Sequence, residues 1–284
     1  MIIDRETTAL VVDSTADLPP ELRDDPSITM VPLRVQFGRE SYLDWVEIQP
    51  REFFEKLQAA DELPTTSQPS PGTWLETYAR LRERYERVYS IHMNSDYGGS
   101  FTTGCIASKE LDGVKVIDSQ LVSGGEALLV GRLLARLDAG TPEKEFDQYI
   151  DYFRDHQTFH VLVKDLAYPF KGGRLGRASY YVGNVLGVKP IISIEDGKTQ
   201  VYRKARGEHA ALRAMRDGFL ERTQPGKDVY AAYAHALNPV WLEELRQLIE
   251  ATDRTVHFQP TSVVGSVIGV HSGPGTVGLA YIQE

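Results

Sequence analysis

Three times in the first half of the chain, a short β-rich run leads through a polar loop into a helical pattern. TALVVD (8–13) is followed by STAD and PPELRDD. VYSIHM (88–93) is followed by NSDYGGS and FTTGCIASKEL. VKVID (114–118) is followed by SQLVSGG and EALLVGRLLARLDAG. Strands alternating with helices predict an open parallel α/β sheet. In such a sheet the loops after the strands' carboxyl ends gather on one edge, where ligands bind. Three loops far apart in sequence are therefore expected to converge. PTTSQPSP (64–71) joins them, because it also runs into a helix. Ser70 is the expected N-cap and Pro71 the first helical residue. Trp74, Leu75, Tyr78, Leu81, Tyr85 and Val88 then make a helical stripe. Those roles leave Thr65, Thr66, Ser67 and Gln68, four neutral hydrogen-bonding side chains in a loop ahead of a helix N-terminus, without a structural reason.

The second half changes character. FHVLVKDL (159–166) reads as a strand, and KPIISIEDGKTQVYRKAR (189–206) as a hairpin turning at Asp196-Gly197. EHAALRAMRDGFLERT is helical, DVYAAYAHA a strand, and NPVWLEELRQLIEAT a helix capped by Asn238 with Pro239 first. The last stretch, TVHFQPTSVVGSVIGVHSGPGTVGLAYIQE, reads as strand-rich. Antiparallel and parallel signals mix here, which sets a domain boundary near residue 158, with domains 1–158 and 159–284.

A chain of 284 residues is long enough for one large domain or two ordinary ones. The N-terminal MIIDRETTALVVDS carries acids where a signal peptide would carry Lys or Arg, and the single Cys105 excludes an intrachain disulfide framework. A cytoplasmic home is the expectation. No run of apolar residues is long enough for a membrane span. The net charge of −9 argues against binding a nucleic acid backbone, which needs a basic field.

Several motifs fall away on context. Gly273-Pro274-Gly275-Thr276-Val277-Gly278 matches G-x-G-x-x-G, but it precedes a final strand instead of opening a helix. Neither Gly197-Lys198-Thr199 nor Gly226-Lys227-Asp228 has the upstream glycine of a phosphate loop. His156 and His160 are four apart with no third zinc ligand indicated. His271, between an apolar run and a turn, is either a surface-turn residue or a donor or base facing a pocket. Ser95 is either a loop Ser and N-cap or a nucleophile, although no G-x-S-x-G elbow surrounds it. Asp13 and Asp17 are either turn and capping residues or metal ligands. Lys171-Gly172-Gly173-Arg174 with Arg177 forms a basic cluster, joined by Lys204 and Arg206, and its glycines permit a close backbone approach. In an acidic chain such a patch suits an anion or an acidic protein face.

Taken together, DSTADL (13–18), VPLRVQFG (31–38), PTTSQPSP, VIDS (116–119), LAYPFKGGRLG (166–176), LGVKPIISIEDG (186–197), KAR (204–206) and GVHSGPGTVGLAY (269–281) resemble the DegV family of bacterial fatty-acid-binding proteins. The resemblance runs nearly end to end. It implies an α/β, two-domain DegV-like fold: an N-terminal parallel α/β sheet plus a C-terminal mixed sheet with helices. It also implies one long-chain fatty acid held between the domains. Its carboxyl group would meet hydroxyls of the TSQ loop and the Ser-rich loop, with a His nearby. Carried over by motif, these are Thr66, Ser95 and His271, with Thr65, Ser67, Gly98 and Gly99 beside them. A separate fatty acid kinase is the implied partner, docking at Lys171, Arg174 and Arg206, with transient membrane contact for lipid exchange. The chain would then be a carrier and not a catalyst, with no cofactor and no metal. The loop Asn94-Ser95-Asp96-Tyr97-Gly98-Gly99-Ser100 departs from the family's Ser-Ser-x-Leu-Ser-Gly-Thr-like pattern at Asn94 and Tyr97. Other readings are a stand-alone hydrolase or phosphotransferase using Ser95 and His271, or a binder of a small polar ligand.

Overall fold

A computed structural model describes residues 1–175, 187–195 and 197–284. Arg177 and Asp196 lie outside the described residues. The three repeated units of the first half build one four-stranded sheet in the order Ile28–Val31, Thr8–Asp13, Arg87–His92, Val114–Asp118. All its pairings are parallel, as the strand–helix alternation predicts. Thr8–Asp13 is buried along its whole length, which suits a central strand covered on both faces.

PTTSQPSP departs from expectation in one respect. Ser70 does cap the helix Pro71–Arg82, its Oγ accepting from the Thr73 N–H at 3.1 Å, with Pro71 in the first turn. Thr65–Ser67, however, is a strand and not a loop. It pairs antiparallel with Arg34–Phe37 in a three-stranded sheet whose other member is Glu40–Leu43. Two adjacent β-branched threonines suit this extended segment. The two-residue period of a strand turns Thr66 to one face and Thr65 and Ser67 to the other.

The second half forms a mixed seven-stranded sheet. Lys198–Arg206, Val188–Glu195, Thr158–Leu162, Val277–Gln283, Asp228–His235 and Thr255–Phe258 follow one another, and Ser262–Val263 also pairs with Asp228–His235. Val188–Glu195 and Lys198–Arg206 are the expected antiparallel hairpin, with Gly197 at φ +71°. Asn238 caps Pro239–Glu250, its Oδ1 accepting from the Trp241 N–H at 3.1 Å. The run SVIGVHS corrects the strand-rich reading of the C-terminus: Ser266–Ser272 is a helix. Its Gly269 lies so close to Phe53 that a Cβ there would come within 2.5 Å of the ring. The glycine therefore lets a β-branched helix pack on the neighbouring helix Pro50–Ala59.

The strands of the parallel sheet all precede residue 119, and those of the mixed sheet begin at Thr158. The core does not divide there. One hydrophobic cluster joins Leu10, Ile91 and Met93 to Phe159, Ile194, Ala232 and Ile282. The helix Ser123–Ala139 sits between the halves, and its Gly124 approaches the Ala234 side chain so closely that a Cβ would lie 2.9 Å from it.

Candidate functional site

The three loops of the parallel sheet converge. The Asn94 N–H donates to the Leu121 carbonyl at 2.8 Å, and the Ser119 N–H to the His92 carbonyl at 3.0 Å. Asp13 ties the first loop to the second, its Oδ2 accepting from the Ser100 hydroxyl at 2.6 Å and the Met93 N–H at 3.2 Å. Asp17 ties the first to the third, accepting from the Ser123 hydroxyl at 2.6 Å and from the Gly265 N–H at 2.8 Å. Both aspartates are buried in these staples, which stand behind the loops. His156 ends the helix Glu143–His156 and bonds the Tyr152 carbonyl, whereas His160 lies in the strand Thr158–Leu162, stacked on Tyr202.

Where the loop edge faces the mixed sheet there is a cavity of about 1140 Å³, its open mouth included. Its buried end is apolar: Leu33, Met93, Phe159, Ile192, Ile194 and Val267 belong to the wall and to the core. Its rim is polar and partly exposed, with Thr66, Gln68, Tyr97, Arg174, Thr199 and His271. Among the described residues, the side chains of Thr66 and Gln68 have no hydrogen-bond partner. Gly98 and Gly99 line the same rim, and a Cβ on Gly99 would lie 2.8 Å from Gln68 Nε2. Gly99 also precedes the helix Ser100–Ser108, whose N-terminus has no side-chain cap. Its free N–H groups and the positive end of its dipole favour a negative group nearby.

His271 comes from the end of the helix Ser266–Ser272. Its Nδ1 is buried without a hydrogen-bond partner, and a Cβ on Gly172 would come within 2.4 Å of it. This contact is the close approach that the first glycine of KGGR permits; the second, Gly173, has open space around it and a φ of +72°. Burial, and secondarily the charge of Arg174, pull the His271 pKa down to about 4, so the ring is neutral at pH 7. Arg174 is exposed and belongs to the wall. Its Nε and Nη2 donate to the Tyr97 carbonyl at 3.3 and 3.1 Å, and Nη1 donates to the Gly172 carbonyl at 2.6 Å. It makes no ion pair among the described residues, so its charge is available to a ligand.

The structure thus brings Thr66, Gly98, Gly99, His271 and Arg174 to one rim. Thr65 and Ser67 are exposed and outside the wall. Ser95 is exposed and outside it too. Its hydroxyl donates to Asp118 Oδ2 at 2.5 Å and its N–H to Oδ1 at 3.2 Å. No hydrogen bond joins Ser95 to His271, so the pair required by the hydrolase reading is not assembled. Lys171 and Arg206 are exposed and away from the cavity wall. Gln68, Thr199, Ser272 and Thr276 enter the wall without having been picked out as site residues. Gln68 stood in the quoted TTSQ run, whereas Thr199 lies beyond the hairpin turn, and nothing local marks it.

An amphiphile fits this arrangement. The closed end is mainly apolar, with the hydroxyls of Ser123 and Thr276 already bonded to Asp17 and Ser272, and the open end offers neutral donors, an uncapped helix and one guanidinium without an ion pair. Such donors satisfy a carboxyl group that would be costly to bury unpaired. Among the described residues, no helix is long and apolar enough to cross a membrane.

Known proteins are similar to this chain over nearly its whole length. A DegV domain-containing protein of Halalkalibacterium halodurans is 34% identical over 279 residues, covering 97% of this chain and 98% of that one. A DegV family protein from Thermus thermophilus, solved in a study of its fatty acid binding, superposes with a TM-score of 0.93 at 30% identity, covering 98% of this chain and all of that one (100%). DegV of Bacillus subtilis, described as a fatty acid binding protein, superposes with a TM-score of 0.87 at 29% identity, covering 98% of this chain and 100% of that one. The family model described as "Uncharacterised protein, DegV family" matches residues 7–284. That match takes in the parallel sheet, the mixed sheet and both walls of the cavity between them, and this chain belongs to the DegV family.

Proposed function

We propose that the chain binds one long-chain fatty acid, with the alkyl tail in the apolar end of the cavity and the carboxyl group at the rim. The observation that carries this reading is the polarity gradient of one cavity: Phe159, Ile192, Ile194 and Val267 at depth, and Thr66, Gln68, His271 and Arg174 where the wall reaches the surface. Each methylene transferred from water contributes about 0.8 kcal/mol, before the cost of association. Thr66, the amide of Gln68 and the free N–H groups in the first turn of Ser100–Ser108 hydrogen-bond the carboxylate, and Arg174 supplies the opposite charge. The fatty acid binding described for the Thermus thermophilus and Bacillus subtilis proteins supports the same ligand class.

With the carboxyl group at the open end, a second protein can reach it while the tail stays covered. We infer a carrier that presents this group to a separate fatty acid kinase, which would phosphorylate it to an acyl phosphate. Lys171 and Arg206, exposed outside the cavity wall, are the proposed docking contacts. Arg174 belongs to the binding rim first. The direct test is titration of delipidated protein with palmitic acid and with its methyl ester. The acid is expected to bind at one per chain and the ester to bind more weakly, because charge-assisted bonds of roughly 1.5–3 kcal/mol each are lost. Equal affinity would overturn carboxyl recognition at this rim.

A further inference from the structure

Tyr97, Thr199 and Arg174 come from three separate segments, and all three line the cavity while staying partly or fully exposed. Their hydrogen bonds close a ring. The Thr199 hydroxyl donates to the Arg174 carbonyl at 3.1 Å. Having given up its only proton, that hydroxyl can only accept from the Tyr97 phenol, 2.6 Å away. The Arg174 guanidinium returns two bonds to the Tyr97 carbonyl, at 3.1 and 3.3 Å. A second tie runs beside the ring: Asn94 Nδ2 donates to the Gly197 carbonyl at 2.5 Å, against a residue held at φ +71°. The loop 94–97 is thereby bonded to the hairpin Val188–Arg206 and to the segment around Arg174, which belong to the other half of the chain.

We propose that the Tyr97–Thr199–Arg174 ring is a latch across the cavity mouth, and that Tyr97 sets how fast a bound acyl chain leaves. The proposal rests on the reading of the cavity as a fatty acid site. Two features separate it from an ordinary tie between two lobes. Every member of the ring is also a wall residue. Its members are partly or fully exposed, so the ring lies where the wall meets solvent, and the proposal sets it on the way out of an alkyl chain leaving the apolar end. The Tyr97 ring packs against the core cluster that contains Met93, Phe159 and Ile194, so the phenol is carried on a fixed support while its hydroxyl makes the crossing bond.

The test uses the full chain loaded with cis-parinaric acid, a fluorescent long-chain fatty acid, and follows its release into excess albumin. Tyr97→Phe keeps the packed ring and removes the donor. Thr199→Val keeps the volume and removes the bridging hydroxyl. Tyr97→Phe is expected to speed dissociation by about threefold to tenfold, the effect of one neutral hydrogen bond; Thr199→Val, which removes two bonds of the ring, by at least as much; and the double variant by no more than the faster single one. Release rates in both single variants equal to that of the parent would overturn the latch. So would full additivity in the double variant, which would show that the two side chains act apart. Hydrogen exchange at residues 95–99 of the ligand-free protein gives a readout that needs no ligand. It is expected to quicken in both variants, and unchanged exchange would overturn the proposal. Failure of the parent chain to bind parinaric acid would overturn the fatty acid reading, and the exchange measurement would still decide the latch.

Discussion

At the scale of single residues, the rim depends on close approaches that leave no room for a methyl group. Gly172 has an ordinary helical backbone at φ −72°, so its lack of a side chain is not needed for conformation. It is needed because the His271 ring occupies the position of a Cβ. Gly172→Ala is expected to displace His271, to cost about 1–3 kcal/mol of stability, and to weaken palmitate binding in the same variant. Denaturant titration and ligand titration check the two effects; unchanged affinity would place the carboxyl group away from His271. The threonines give a sharper comparison, because a strand turns neighbours to opposite faces. Thr66→Ala should weaken palmitate binding by about tenfold or more, the loss of one hydrogen bond to a charged group, and Thr65→Ala should leave it unchanged. Equal effects in the two variants would show that the strand does not present Thr66 alone.

At the scale of elements, the capping of Pro71–Arg82 is separable from the site it follows. Ser70→Ala removes the acceptor for the Thr73 N–H and is expected to cost about 1 kcal/mol in thermal or denaturant unfolding, with palmitate affinity retained. A change in affinity larger than the change in stability would tie the helix N-terminus to ligand contact. Elements with strong local signals were legible in the sequence: the parallel strands, the hairpin at Gly197, and the helices capped by Ser70 and Asn238. Those that were not legible had their local preference overridden by packing. Ser266–Ser272 carries Val267, Ile268 and Val270, which read as a strand, yet it is helical because Gly269 lets it lie on Phe53. Thr65–Ser67 read as a loop because three residues give too short a period to recognise, and its partner Arg34–Phe37 lies thirty residues away. The site divided in the same way. Thr66, Gly98, Gly99 and His271 belong to motifs whose residues are contiguous. Thr199 and the cavity wall come from the second sheet, and their meeting with the first three loops has no local signature.

At the scale of the molecule, the two halves are joined by buried polar groups as well as by a shared apolar cluster. Asp44 accepts from the Ser266 N–H at 2.8 Å and from its hydroxyl at 2.5 Å, while its other oxygen is buried without a partner. Burial lifts its pKa from 3.8 to about 6. The unfolded chain releases this proton near pH 4 and the folded chain holds it to about 6. The stabilisation from this group is therefore complete below pH 4 and is lost as pH rises through 6. Asp44→Asn keeps an acceptor for Ser266 and removes the titration. Relative to the parent, the variant should gain on the order of 3 kcal/mol of stability between pH 4 and 7. His92 and His271, both pulled down to about 4 by burial, act in the opposite sense: they contribute above the ordinary histidine range and lose that contribution as pH falls. They cancel in the comparison of the two proteins, whereas Asp17, raised first by burial and then by the Asp44 charge, is relieved in the variant and adds in the same direction; a stability difference independent of pH would contradict the assignment. The central claim concerns what fills the cavity between the halves. Native mass spectrometry of the protein as purified, followed by extraction into organic solvent, addresses it most directly. The expected result is one adduct per chain, released as a free long-chain fatty acid and restored by adding palmitate to the delipidated protein. An adduct that proves to be a small polar molecule, or a delipidated chain that takes up no palmitate, would contradict it.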